Sequence, residues 1–300
     1  MEIVNNIKDT ALIFEGGGMR ASYTAGILNI LLENEIYFNY VAGVSAGASH
    51  LVNYLSRDTK RAKKSFVDIV LDPKFGGWKS FFKGEGFFNA KYLYEETAYP
   101  DALLPFDFET FMANPAEFRI GAFNCNNGRL EYFTKKDIHC PEDLMKIVRS
   151  SSSYPILMPK TFYKGNCYID GGIVGGIPLD IAKRDNMKKF FVILTHQKGY
   201  RREPLKFKGF LKAYYRKYPA VLETMLKRHI NYNQTLDELE ELERKGQAFL
   251  VYPETMPVSR EETDYDRLEE SYRLGYAQGK KDLHLWKNFL EGNTYETRQI

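Results

Sequence analysis

The chain has 300 residues, 44% of them hydrophobic, enough for one large core in one or two domains. Its 42 basic and 39 acidic residues leave a net charge of +3, too balanced for a protein that holds nucleic acid through overall charge. Cys125, Cys140 and Cys167 are too few and too widely spaced for a disulfide scaffold or a cysteine metal site, and they fit a reducing cytoplasm. The opening residues MEIVNNIKDT lack the basic and apolar regions of a leader peptide, and no run reaches transmembrane length. A cytoplasmic protein is expected, with membrane contact limited to its periphery. An aromatic share of 15% reads first as an aromatic core.

In chain order, residues 11–70 read as strand, glycine turn, helix, strand, turn, helix, an alternation that predicts a parallel sheet covered by helices. Residues 72–118 are rich in Gly, Phe and Lys without a clean period, and read as a surface excursion near the second helix. FRIGAFNC and RLEYF follow as two strands joined by an Asn-Asn-Gly turn. A helix is predicted from PEDLMKIVR, then strands at CYID and KKFFVILTH. Residues 200–245 form a second excursion, basic at first and then helical, with the charge pattern of a solvated face in LDELEELERK. The strand AFLVYP and a helix over about 264–280 close a single domain spanning 1–300.

The first turn, EGGGMR (Glu15–Arg20), lies between a strand and a helix, where free N–H groups and the helix dipole favour an anion. Gly16, Gly18 and Ala21 match the dinucleotide spacing G-x-G-x-x-A, a weak signal alone. That fingerprint needs an acidic residue at the end of the second strand, and the second strand ends in GVSAG instead. GVSAG (Gly43–Gly47) has the form of a nucleophile elbow, with Ser45 pushed out of a tight turn and Gly43 and Gly47 leaving room for it. The rival reading is a small-residue turn that packs a helix on a sheet. If Ser45 attacks an ester, the backbone of Gly16, Gly17 and Gly18 is placed to receive the oxyanion. Arg20 reads equally as a charge serving that loop and as a surface arginine.

A serine nucleophile needs a base. His50, His139, His229 and His284 fall on the elbow helix, a loop and polar helices. His196 and Asp170 each end a strand and are the two candidates, Asp170 with Gly171 and Gly172 directly after it. A carboxylate is a weak base towards serine unless burial raises its pKa.

The motifs GGGMR, GVSAG and DGG, in this order, resemble the patatin-like phospholipase family. RSSSSYPILMP (Arg149–Pro159) resembles its serine-rich stretch, and YPETMPVSR with LEESYRLGYAQG resemble its bacterial stand-alone members. The resemblance implies a three-layer α/β/α fold with a mainly parallel sheet and a Ser–Asp dyad acyl hydrolase without histidine. Ser45 would be the nucleophile, Asp170 the base, and Gly16, Gly17 and Gly18 the oxyanion hole, with Arg20, Gly43, Gly47, Gly171 and Gly172 in support. Lipid esters (phospholipid, lysophospholipid or neutral lipid) would be the substrates. The sequence departs from the family in having Ala21 where a glycine is usual, and GGIP (Gly175–Pro178) where an Asn-Pro pair often follows DGG. No calcium or other metal and no cofactor is implied, since no carboxylate-rich loop of the EF-hand kind occurs.

Residues 201–218 interleave basic and aromatic side chains, and WKSFFKGEGFF does so more loosely. Lys206, Lys208, Lys212, Arg216 and Lys217 are the candidate contacts with an anionic membrane, the alternative being a basic helix with its aromatic side on the core. Two rival functions stay open: an α/β-hydrolase-type esterase with a Ser45–Asp170–His196 triad, and a non-catalytic lipid- or nucleotide-binding module.

Overall fold

The computed structural model describes residues 3–206 and 208–292, without the side chains of Lys208 and Phe210. The strands are β1 (Ile7–Phe14), β2 (Phe38–Val44), β3 (Glu117–Asn124), β4 (Arg129–Phe133), β5 (Thr161–Tyr163), β6 (Asn166–Asp170), β7 (Lys189–Ile193) and β8 (Ala248–Val251). They form one sheet, in which β3, β2, β1, β7 and β8 lie side by side and parallel. β4 and β6 pair antiparallel with β3, and β5 with β6. The expected hairpin at residues 117–133 is present, with Gly128 at φ +70° in its turn. Cys125 and Cys167, distant in sequence, are neighbours, the Cys125 N–H donating to the Cys167 carbonyl at 2.8 Å.

The helices are α1 (Ala21–Glu33), α2 (Ala46–Leu55), α3 (Thr59–Lys64), α4 (Trp78–Phe82), α5 (Phe108–Ala113), α6 (Pro141–Ser152), α7 (Leu179–Arg184), α8 (Lys208–Tyr214), α9 (Pro219–Arg244) and α10 (Tyr265–Leu290). The alternation of β1 shows the layers. Leu12 and Phe14 face a core made with α1, α2, α6 and α10, while Ala11 and Ile13 face a second core made with α7 and α9. Helices on both faces of a mainly parallel sheet make a three-layer α/β/α fold. None of the helices is long and apolar enough to cross a membrane among the described residues.

Burial differs from the expected pattern in three places. α1 is buried all round from Ala21 to Leu32, because α10 covers the side that the sheet does not. Residues 72–118 are more than a surface excursion. Their glycine turns fold Phe75, Phe88, Ala90 and Leu104 against Met19 and Ala46, building a wall beside α2. Likewise α9 is a layer of the fold, with Tyr232, Leu236 and Leu239 in the second core and Asp237 and Glu238 among the residues on its exposed side.

Candidate active site

β3 positions the site. Residues Ile120–Asn124 pair with β4 along one edge. The other edge pairs with β2 as far as Gly121, opposite Val44, and from Ala122 onward with β6, Ala122 standing opposite Asp170. The parallel β2 and the antiparallel β6 therefore end head to head, one residue apart in register. The residue after β2 is Ser45, and the last residue of β6 is Asp170.

Ser45 has φ +56° and ψ −130°, a conformation that disfavours any side chain, so its Oγ stands proud of the turn. The elbow closes through glycine. A Cβ on Gly47 would stand 2.4 Å from the Phe14 carbonyl oxygen, and one on Gly43 2.4 Å from the Gly47 oxygen. Ser45 Oγ donates to Asp170 Oδ2 at 2.6 Å, and the Gly172 N–H donates to Oδ1 at 2.6 Å. Asp170 is 2% exposed. Burial raises its pKa, while the bonds from Ser45 and Gly172 and the charges of Arg228 and Arg260 pull it down. An ionised, desolvated carboxylate beside a serine hydroxyl can accept that proton.

The glycine loop faces the same serine, since a Cβ on Gly16 would lie 3.0 Å from Ser45 Cβ. Gly17 is closed in by the Thr195 side chain, and Gly18, at φ +58°, by Arg260. One expectation is corrected here. The Gly16 N–H is committed to the Gly176 carbonyl at 3.0 Å, because the GGIP loop after the aspartate folds back onto the glycine loop. Arg20 is half-buried, with its Nε lacking a hydrogen-bond partner and its pKa lowered by burial against the pull of Glu15. Gly171 packs on Gly121, where a Cβ would meet the carbonyl oxygen at 2.5 Å.

The triad with His196 is not formed. His196 stacks on Tyr200 with centroids 3.6 Å apart and makes no hydrogen bond to Ser45 or Asp170. Burial and the nearby Arg20, Arg202, Arg228 and Arg260 push its pKa down to about 2, so it is neutral. His50 is fully buried on the Ala21 carbonyl at 2.8 Å, and burial lowers its pKa to about 4. Among the described residues no three His, Cys, Asp or Glu side chains come together as metal ligands would.

Ser151 was not singled out in the sequence. Its Oγ accepts from the Ser45 N–H at 2.8 Å and donates to the Gly121 carbonyl at 2.6 Å, pinning the elbow where β2 parts from β3. The signal was a run of serines in a helix whose hydroxyls would need partners; Ser150–Ser153 are all buried. A mainly apolar cavity opens from Ser45 along α2. Ala46, Ser49 and Val52 line one side, Phe75, Phe88 and Leu104 another, and Arg61 and Phe106 also border it.

The chain is similar to known proteins. The model of the patatin-like phospholipase family matches residues 12–183, and that of a domain of unknown function (DUF6363) matches residues 218–291. The uncharacterized protein YjjU of Escherichia coli is 24% identical over 97% of this chain and 81% of its own length. Lysophospholipase NTE1 of Lodderomyces elongisporus is 23% identical over 92% of this chain, a match that occupies 19% of that much longer protein. The crystal structure of VipD from Legionella pneumophila shares the fold, with a TM-score of 0.50 at 14% identity, over 95% of this chain and 67% of that one. With more than half of its length matched, from β1 through the strand that ends in Asp170, the chain belongs to the patatin-like phospholipase family.

Proposed function

We propose that this protein is a serine acyl hydrolase that cleaves lipid carboxylic esters through a Ser45–Asp170 dyad. The observation that carries the reading is the direct 2.6 Å bond from Ser45 Oγ to Asp170 Oδ2, with no histidine between. Family membership supports lipid-ester hydrolysis in general, and the names of lysophospholipase NTE1 and of a probable lipid hydrolase, 463L of Invertebrate iridescent virus 6, point the same way.

Asp170 takes the Ser45 proton as Oγ attacks the ester carbonyl. The N–H groups of Gly17 and Gly18 receive the oxyanion, a contribution of about 3–4 kcal/mol for one well-placed donor. Protonated Asp170 then gives its proton to the leaving alkoxide. In the second half it draws a proton from the water that attacks the acyl-enzyme and returns it to Ser45 Oγ as the fatty acid leaves. Gly172 fixes the carboxylate throughout, and the cavity along α2 takes the acyl chain.

We place the membrane-facing side at residues 72–88 and α8. Trp78 and Phe82 are 65% and 82% exposed, with Lys79 and Lys83 beside them; Lys212 of α8 and Arg216 and Lys217 in the turn after it are exposed, while Leu211 and Tyr215 are buried. Lys206 is paired with Glu203 at 2.9 Å, and the Lys208 side chain lies outside the described residues. Hydrolysis of p-nitrophenyl octanoate by the native protein, Ser45→Ala, Asp170→Asn and His196→Ala tests the dyad. Loss in the first two with retention in the third is expected; loss in His196→Ala with the fold intact would favour a triad.

A further inference from the structure

The cavity that opens from Ser45 ends at a charge. Val52, Phe66, Ile69, Phe75, Phe88 and Leu104 line its length, and Arg61 borders it. Three contacts place the Arg61 guanidinium. Nη1 donates to Asn53 Oδ1, and Nε donates to the Leu104 carbonyl at 3.2 Å. The guanidinium carbon stands 5.0 Å from the centre of the Phe106 ring. Asn53 lies on α2, eight residues beyond Ser45, a rise of about 12 Å along that helix. The guanidinium is therefore at the end of the cavity remote from the nucleophile.

Burial lowers the Arg61 pKa to about 10, so the side chain keeps its charge at neutral pH. The carboxylate that acts on it is Asp58, whose Oδ1 accepts the Arg61 backbone N–H at 2.8 Å. Among the described residues the guanidinium forms no ion pair. It spends two of its five N–H donors. Asn53 beside it is fully buried, and its Nδ2 has no hydrogen-bond partner. Donors thus outnumber acceptors at this end of the cavity. The two bonds that are made tie residues 72–118 to α2, work that needs no charge. A hydrocarbon chain reaching this far would end against a desolvated cation and leave its donors unfilled. A chain ending in oxygens fills them, and the planar fork of arginine matches the two oxygens of a carboxylate.

We propose that Arg61 selects the far end of the acyl group, so that chains of about eight carbons ending in a carboxylate are taken in preference to hydrocarbon chains of equal length. Such substrates are half-esters of dicarboxylic acids. The length follows from the rise of about 12 Å, less about 3 Å for the hydrogen bond, at about 1.2 Å per carbon–carbon bond. Ser45 meets the ester at one end of the chain and Arg61 holds the other, so the chain is measured between two fixed points. The proposal deepens the hydrolase reading above and rests on it for the ester.

The test is calorimetric binding to Ser45→Ala protein of the monomethyl esters of succinic, adipic, suberic and sebacic acids. Each is compared with the methyl ester of the monocarboxylic acid of equal length. The preference for the acid should be greatest at suberate, at least about tenfold over methyl octanoate, and should be lost at succinate. Adding Arg61→Gln should lower the suberate ratio by about 10- to 100-fold, with Arg61→Lys retaining part of it. A preference that does not change with chain length overturns the proposal. So does a suberate ratio unchanged in folded Arg61→Gln protein, or a parallel loss of both ligands, which would make Arg61 a strut alone. If Arg61→Gln does not fold, the length series with its arginine intact still decides. Binding is read without the nucleophile, so a failure of hydrolysis in the native protein and a failure of this selection are separate results.

Discussion

At the scale of single residues, the site stores two costs. Ser45 is held at φ +56°, a region that costs a residue with a side chain about 1–3 kcal/mol. Ser45→Gly should therefore be more stable than Ser45→Ala by about 1 kcal/mol in urea unfolding; equal midpoints would mean that the elbow is not strained. The second cost is the buried charge of Asp170, whose folded pKa is raised by burial. With the folded pKa above the unfolded one, the stability this group contributes is fully present below its unfolded pKa of about 3.9 and is lost as pH rises through the folded value. Asp170→Asn escapes that loss, so its Tm relative to the native protein should be higher at pH 7 than at pH 4. A difference that does not change with pH would contradict the burial argument. Catalysis carries the opposite sign, because the base must be ionised. The acid limb of the rate profile should follow the raised pKa, and should move to higher pH in Arg260→Gln, where a cation favouring the carboxylate is removed.

At the scale of elements, β3 is the ruler that sets serine against aspartate, and α10 is the brace that holds α1. The brace depends on backbone contact. A Cβ on Gly275 would stand 2.1 Å from the Tyr23 carbonyl oxygen, and one on Gly26 2.4 Å from that of Tyr272. Ala is the better helix former by about 1 kcal/mol, yet Gly275→Ala should destabilise by about 2 kcal/mol or more, because backbone atoms cannot move aside singly. Stabilisation in thermal unfolding would contradict this packing. The cavity has a length as well. From Ser45 to Val52 is seven residues, a rise of about 10 Å along α2, and an extended chain advances about 1.2 Å per bond, so roughly eight carbons fit. Val52→Phe should shift the preference of p-nitrophenyl ester hydrolysis to shorter chains. Strands, the hairpin and the elbow were legible because each is specified locally, by alternation, by Asn-Asn-Gly and by glycines flanking a serine. The meeting of β2 and β6 on one edge of β3 was not, since strand order is a property of pairing across the whole chain. For the same reason Ser151, Arg228 and Arg260 went unread, each acting on a loop far away in sequence.

At the scale of the whole molecule, the near-balanced charge leaves local patches to decide what the surface meets. Trp78 and Phe82 stand exposed on the segment whose inner side walls the cavity, so a lipid surface there would lie next to the acyl path. The paired substitution Trp78→Ser/Phe82→Ser should weaken binding to anionic phosphatidylglycerol vesicles by about tenfold or more, with a further loss when Lys212, Arg216 and Lys217 become Gln. Unchanged sedimentation with vesicles would remove this face from the account. Composition reads the segment 72–118 as surface, and its lysines and Phe82 do reach water, while Phe75, Phe88 and Phe111 turn inward. The most direct test of the central claim is the rate of fluorophosphonate labelling, with the adduct located by mass spectrometry. The account predicts a single adduct on Ser45, formed at least about a hundredfold more slowly in Asp170→Asn and at the native rate in His196→Ala. Equal rates in native and Asp170→Asn protein, or an adduct elsewhere than Ser45, would contradict it.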